Sequence, residues 1–260
     1  MQRTLRILSV GTAIGALLIC PFLIAGKVSE REPGAGSKKI VLHLPADSKR
    51  IVKVKTATEL LREEAKLMYE SMRLNKFGLG KKAFEYAWKG YKNLLNKGKL
   101  KNAEIISICD FSQSSRRKRL YVINLDEKKV LVNTYVAHGR NSGAEYARSF
   151  SNSPESHKSS LGFYVTRNTY FGQYGLALKI DGIERGINDR ANDRNIVIHG
   201  SNYVGEHFIR SNPFNGRSFG CPAIPSKQTN KIINTIKNGS CLFIYHPTKN
   251  YLNTSKILNG

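Results

Sequence analysis

From residue 104 onward the apolar positions fall in short runs rich in β-branched and aromatic residues: EIISICDF, RLYVINL, KVLVNTYVA, LGFYVT, LALKI, NIVIHG and CLFIYHP, each bounded by turn formers. Seven such runs with few helical stretches between them predict a mainly β domain, a sandwich or barrel. One helical period interrupts late in the chain. Ile232, Ile233 and Ile236 share its inner face, Ser226 is placed to cap it, and Asn238-Gly239 to stop it. Upstream the period is helical throughout. Thr56 and Glu59 have capping-box spacing, and Leu60, Leu61, Ala65, Met68 and Met72 follow at helical intervals. A second helix sets Phe84, Ala87, Trp88, Tyr91 and Leu95 on one side, with Gly98 as its stop. An aromatic stripe of this kind is ordinary core packing. The pair predicts a helical subdomain over 56–102 ahead of a β domain over 103–255, and the tail after Pro247 reads as a surface finish.

The first residues follow another pattern. Arg3 and Arg6 precede an apolar run over 7–26, and a charged segment follows, which is the layout of an export segment. Residues 1–26 are therefore read as an export signal or a retained membrane anchor, and 27–55, weakly patterned and rich in basic, Pro, Gly and Ser residues, as a linker. The expected location is the periplasm or extracytoplasmic cell envelope. Cys20 follows Ile19, where a lipoprotein signal would carry a small residue, so no lipid is expected there.

Charge narrows the partners. Against 19 Asp and Glu the chain carries 42 Lys and Arg, a formal net charge of +23, so its surface attracts polyanions. Nucleic acid, anionic wall polymers and acidic membranes all satisfy that requirement. The basic residues are spread evenly and accompany no zinc-finger spacing or RNA-recognition motif, which argues against nucleic acid as a partner.

Export makes the cysteines informative. Apart from Cys20 there are three, and Cys109 and Cys241 lie inside apolar runs as small hydrophobes, with a mutual disulfide left open. Cys221 differs. It stands between Gly220 and Pro222, in the segment RSFGCPAIP, where neither neighbour suits a helix interior or a central strand. A loop cysteine can be bland; with a base beside it, it becomes a nucleophile. The apolar run NIVIHG ends in His199-Gly200, and one excursion separates it from Cys221. Gly220 lets the chain bend so that its own amide and that of Cys221 face a developing oxyanion, and Ser218 is placed to fix the loop or bond a substrate carbonyl. The order is His before Cys, the reverse of papain-like peptidases.

The stretch from His199-Gly200 to Ser218-Phe219-Gly220-Cys221 resembles the catalytic domain of the YkuD-like L,D-transpeptidases, enzymes that cross-link peptidoglycan. VAHGRNSG (136–143), FSNSPESHKSSLGFYV (150–165), GINDRANDRNIVIHGSNYV (186–204) and GRSFGCPAIP (216–225) are similar to the murein branch of that family, over roughly 105–252. The resemblance implies a β-sandwich or barrel in which Cys221 attacks the carbonyl between the third stem residue and D-alanine. His199 would serve as base and then acid, and an amine of a second stem would resolve the thioester into a 3→3 cross-link. Water instead of the amine would make the same site an L,D-carboxypeptidase, and a site without turnover would be a cell-wall or anion-binding module. The implied partners are peptidoglycan stem peptides and anionic envelope polymers, with neither cofactor nor metal.

Two departures concern substrate contacts. Many members carry His before Gly-Cys and Arg shortly after, where this chain has Phe219 and Pro222-Ala223. Arg217 and Arg140 are the candidate partners for stem carboxylates, since a guanidinium binds them bidentately. His138 also precedes a glycine at the end of an apolar run and either lines the cleft or caps that strand. His157 and His207 lie in polar loops and are read as solvated. The spacings of His199, His207, Cys221 and Cys241 match no zinc-ligand pair, and NDRAND (188–193) lacks the glycine and distal glutamate of a calcium loop.

Overall fold

The computed structural model describes residues 55–173 and 175–260. The export segment, and all of the 27–55 linker except Lys55, lie outside the described residues. The apolar runs pair into one mixed sheet. Its strands are β1 (Ile105–Asp110), β2 (Leu120–Asn124), β3 (Lys129–Thr134), β4 (Gly162–Gly172), β5 (Gly175–Gly182), β6 (Val197–Ser201), β7 (Ala223–Pro225) and β8 (Cys241–Tyr245). In space they run β3-β2-β1-β8-β4-β5-β6-β7, antiparallel except for β1 with β8 and β6 with β7. The eighth strand is β7, three residues that follow Pro222 and end in Pro225, too short to stand out as an apolar run. β4 also continues past the predicted LGFYVT run, pairing with β5 as far as Gly172.

The two ends of this order meet. Beyond β3 the chain bridges to β7, Ala137 N–H donating to the Ala223 carbonyl at 2.8 Å. One turn on, Ser218 N–H donates to the His138 carbonyl (3.0 Å) and Arg140 N–H to the Ser218 carbonyl (2.7 Å). The result is the mainly β, nearly closed barrel that the pattern predicted.

Helix α1 (Ala57–Ser71) begins with the predicted capping box, Thr56 and Glu59 exchanging hydrogen bonds. α2 (Lys81–Asn96) buries Phe84, Ala87, Trp88 and Tyr91, and the core they enter is the sheet's own. Its Gly90 lies on the ring of Phe163, which a Cβ would overlap, so this position brings the helix against β4. The face is rotated from the predicted one: Leu95 is exposed and Leu94 is buried in its place. Phe163 in turn stacks on Phe243 of β8 with centroids 4.1 Å apart.

Two further expectations need correction. α4 (Thr229–Ile236) buries Ile232, Ile233 and Ile236 as expected, but Ser226 does not cap it; a 3-10 turn over Ser226–Gln228 intervenes, and the hydroxyl bonds the Asn202 side chain instead. The tail is not a surface finish. It forms α5 (Lys249–Thr254) and α6 (Lys256–Asn259), burying Tyr251, Ile257 and Leu258. Buried Glu184 ties this tail to the sheet, accepting from the Phe163 amide (2.8 Å), the Tyr251 hydroxyl (3.0 Å) and the Ser255 hydroxyl. Cys109 and Cys241 are both free and buried. The register sets Cys109 opposite Ile244 and Cys241 opposite Ile106, three residues apart along neighbouring strands, too far for a bridge.

Candidate active site

Cys221 is held where β7 is about to begin. Its sulfur accepts the amide of Val197, the first residue of β6 (3.4 Å), and donates to the carbonyl of Asn195 just ahead of it (3.6 Å). The thiol is free and half-buried. Burial pushes it above the ordinary thiol range, while the Val197 amide and the Arg194 guanidinium draw it back.

His199 lies in the next strand. The β6–β7 register sets it opposite Ala223, two residues past the cysteine, and Cys221 itself lies against Val197, two residues before the histidine. Burial lowers the pKa of the ring, so it is neutral near pH 7, and Nδ1 lies 3.0 Å from the Gly200 carbonyl. That contact places the ring proton on Nδ1 and leaves Nε2 as the basic nitrogen.

The bend ahead of the sulfur is built by Ser218 and Gly220. The Ser218 hydroxyl donates to the Cys221 carbonyl at 2.6 Å and accepts the Gly220 amide at 3.1 Å. Ser218 is buried and fixes the loop rather than facing a substrate. The Gly220 amide, expected to face an oxyanion, is committed to this hydroxyl. Gly220 has φ +126°, and a Cβ there would come within 2.9 Å of the Lys158 carbonyl, so no other residue fits without strain.

Of the remaining candidates, three reach the surface. Phe219 is 60 % exposed, with the Arg140 guanidinium 4.8 Å above its ring and the His157 ring against it at 4.8 Å. His157 is therefore part of an aromatic stack rather than solvated, whereas His207 is exposed in α3 (Glu206–Ser211). Arg217 is exposed, donating to the Arg140 and Gly143 carbonyls and lying over Phe214.

His138 does not line the cleft. It is fully buried, with Arg119 donating to Nδ1 at 2.7 Å and Nε2 donating to the Gly143 carbonyl at 3.3 Å. Burial and the neighbouring cation lower its pKa to about 3. Arg119 is itself wholly buried, donating also to the Val136 and Gln113 carbonyls and lying over Phe111.

Sequence reasoning passed over Arg194. The 188–193 segment is a structural loop, Asn188 bonding the carbonyls of Leu161 and Phe163 and the Glu184 amide, and it delivers Arg194 to the underside of the cysteine loop. The available hint was a lone arginine just before an apolar strand. Among the described residues no three His, Cys, Asp or Glu side chains cluster as metal ligands, and no helix is long and apolar enough to cross a membrane. Two grooves flank the end of β6: one of about 800 Å³ lined by Leu176, Gly200, Tyr203 and Phe208, and one of about 600 Å³ lined by Tyr135, Asn202, Glu206 and Lys227.

Among solved structures, an L,D-transpeptidase from Mycobacterium smegmatis is 10 % identical, with 55 % of this chain and 59 % of that chain covered and a TM-score of 0.34. The helical cell shape determining protein Pgp2 from Campylobacter jejuni is 13 % identical over 62 % of this chain and 57 % of that one, at a TM-score of 0.37. A fused Zn-dependent amidase/peptidase/peptidoglycan-binding domain-containing protein from Clostridium acetobutylicum is 18 % identical over 59 % and 57 %, at 0.34. The chain thus spans less than two thirds of each of these structures. No curated protein matches it. A model of the L,D-transpeptidase catalytic domain matches residues 75–245, from the turn ahead of α2 to the last residue of β8. That span takes in the whole sheet with His199 and Cys221, and the chain belongs to the L,D-transpeptidase catalytic domain family.

Proposed function

We propose that the protein is a cysteine L,D-transpeptidase that acts on peptidoglycan stem peptides outside the cytoplasmic membrane. What supports this reading is a free, half-buried thiol at Cys221, two residues ahead of the position that faces His199 in the β6–β7 register, and a buried, neutral imidazole whose Nδ1 is held by a carbonyl. Nε2 takes the thiol proton, and the sulfur adds to the carbonyl between the third stem residue and D-alanine. The tetrahedral adduct collapses as the imidazolium returns that proton to the departing amine. D-alanine leaves and a thioester remains. An amine of a second stem then attacks the thioester, His199 taking a proton from that amine and passing it to the departing sulfur, to give a 3→3 cross-link and the free thiol. Since the Gly220 amide serves Ser218, the Cys221 amide is the loop's candidate donor to the oxyanion.

Phe219, Arg140 and Arg217 form the rim over which the substrate passes. The guanidinium of Arg140 on the face of Phe219 offers charge and an apolar surface together, which suits a peptide ending in a carboxylate. The formal net charge of +23 supports retention on an anionic envelope. Incubating the full chain with disaccharide tetrapeptide and weighing the products by mass spectrometry tests the proposal. Dimers lacking one D-alanine are expected; tripeptide alone would identify a hydrolase. A Cys221→Ala variant that keeps full activity would remove the mechanism.

A further inference from the structure

The Arg194 guanidinium makes four hydrogen bonds to one segment: to the carbonyls of Ser151 (2.8 Å) and Lys158 and the hydroxyls of Ser160 and Ser156 (3.3 Å). Among the described residues no carboxylate pairs with it. An arginine bonded only to neutral oxygens keeps its full charge, and a half-buried one projects that charge through less solvent than a surface residue does.

The recipient of that charge is defined by geometry. A Cβ on Gly220 would lie 3.2 Å from Arg194 Nη2 and 2.9 Å from the Lys158 carbonyl that Nη2 holds, so the guanidinium is packed directly behind the residue preceding the nucleophile. The same segment reaches Gly220 a second way: Ser159 donates to its carbonyl at 3.3 Å and accepts the Gly139 amide at 3.0 Å. The charged and titratable groups on the elements packed about the cysteine loop are Arg194 ahead of β6, which couples to Cys221 and to Tyr164 on β4, His199 on β6, and His157 and Lys158 on the 151–160 segment, the first against Phe219 and the second with its carbonyl behind Gly220. Of these, Arg194 is the cation that acts on the thiol.

We propose that Arg194 is the positioning residue of this site: it clamps the 151–160 segment beneath Gly220 and sets an unpaired positive charge beside Cys221 that favours the thiolate. This rests on Cys221 being the nucleophile. The two parts of the role separate experimentally. Arg194→Gln removes charge and fork, Arg194→Lys keeps the charge without the fork, and Ser160→Ala keeps the cation while withdrawing one acceptor.

The measurement is the rate of iodoacetamide alkylation at Cys221 of the full chain against pH, read by peptide mass spectrometry, beside tetrapeptide turnover. For Arg194→Gln the inflection is expected to rise by about one pH unit, making alkylation at pH 7 about tenfold slower. Arg194→Lys and Ser160→Ala are expected to keep the parental inflection while turnover falls, because the loop is looser and the charge remains. An unchanged inflection in Arg194→Gln overturns the proposal. So does an inflection in Arg194→Lys raised by a full unit, a comparison that stands even if Arg194→Gln folds poorly. Should Cys221→Ser still convert the tetrapeptide at the parental rate, the nucleophile assignment fails instead, whatever the alkylation profiles show.

Discussion

Two strand ends in this molecule carry the same dipeptide. The chain leaving β3 ends in His138-Gly139, and β6 runs through His199-Gly200. Both histidines are buried and both resist protonation. What separates them is which nitrogen carries the proton. Arg119 occupies Nδ1 of His138 and the Gly143 carbonyl takes the proton on Nε2, so both ring nitrogens are spent on structure. At His199 a carbonyl holds Nδ1, and the opposite tautomer results. Sequence proximity to glycine therefore says little about the role of an imidazole; the group facing Nδ1, donor or acceptor, decides it.

The largest expected effect lies in catalysis. His199→Gln should lower kcat/KM for tetrapeptide by about 10²–10⁴-fold, with a urea midpoint close to the parent's. His138→Gln should change turnover far less. Equal losses of turnover would erase the distinction between the two sites. Next in size is stability, where the order reverses. His138→Ala leaves the buried Arg119 without one of its acceptors, at a cost of about 1–3 kcal/mol in urea unfolding.

The glycines sharpen the same contrast. A Cβ on Gly200 would run into the Thr229 hydroxyl, a side chain that can be trimmed, whereas one on Gly139 would meet the His157 carbonyl at 2.5 Å, which is backbone. Gly200→Ala should cost about 1–3 kcal/mol and be largely rescued by Thr229→Ala in thermal melts. No single side-chain change should rescue Gly139→Ala. The remaining effect is in pH dependence. With its pKa lowered to about 3, His138 takes up its proton later in the folded state than in the unfolded one, so its contribution is complete above about pH 6.5 and is lost as pH falls toward 3. Melting midpoints should decline over that window, less steeply in His138→Gln.

Much of this was legible in the chain. Strand runs, the capping box of α1 and the inner face of α4 follow from period alone, because burial on one face demands the spacing. That Cys221 and His199 fall on neighbouring segments could be read because a thiol in a Gly-Pro loop and a histidine late in an apolar run each point to a rim. β7 escaped because its three residues draw their strand character from neighbours on both sides. The tail escaped because Tyr251 and Ser255 are polar enough to pass for surface, and only Glu184, far away in sequence, explains their burial. Arg194 and the occupied Gly220 amide were hidden for a similar reason: their partners are carbonyls and hydroxyls brought in by folding, which no spacing rule encodes.

The bridges from Ala137 to Ala223 and from Gly139 to Ser218 fasten the cysteine loop to the segment leaving the opposite edge strand. Parting the 137–140 segment from the cysteine loop would break the hydrogen bonds of the Ser218 amide and carbonyl and that of the Ala137 amide. On the proposed reading, stem peptides enter over the outer rim, past Phe219, and the amides of Ala137, Ser218 and Arg140 should be among the last near the sulfur to exchange with deuterium.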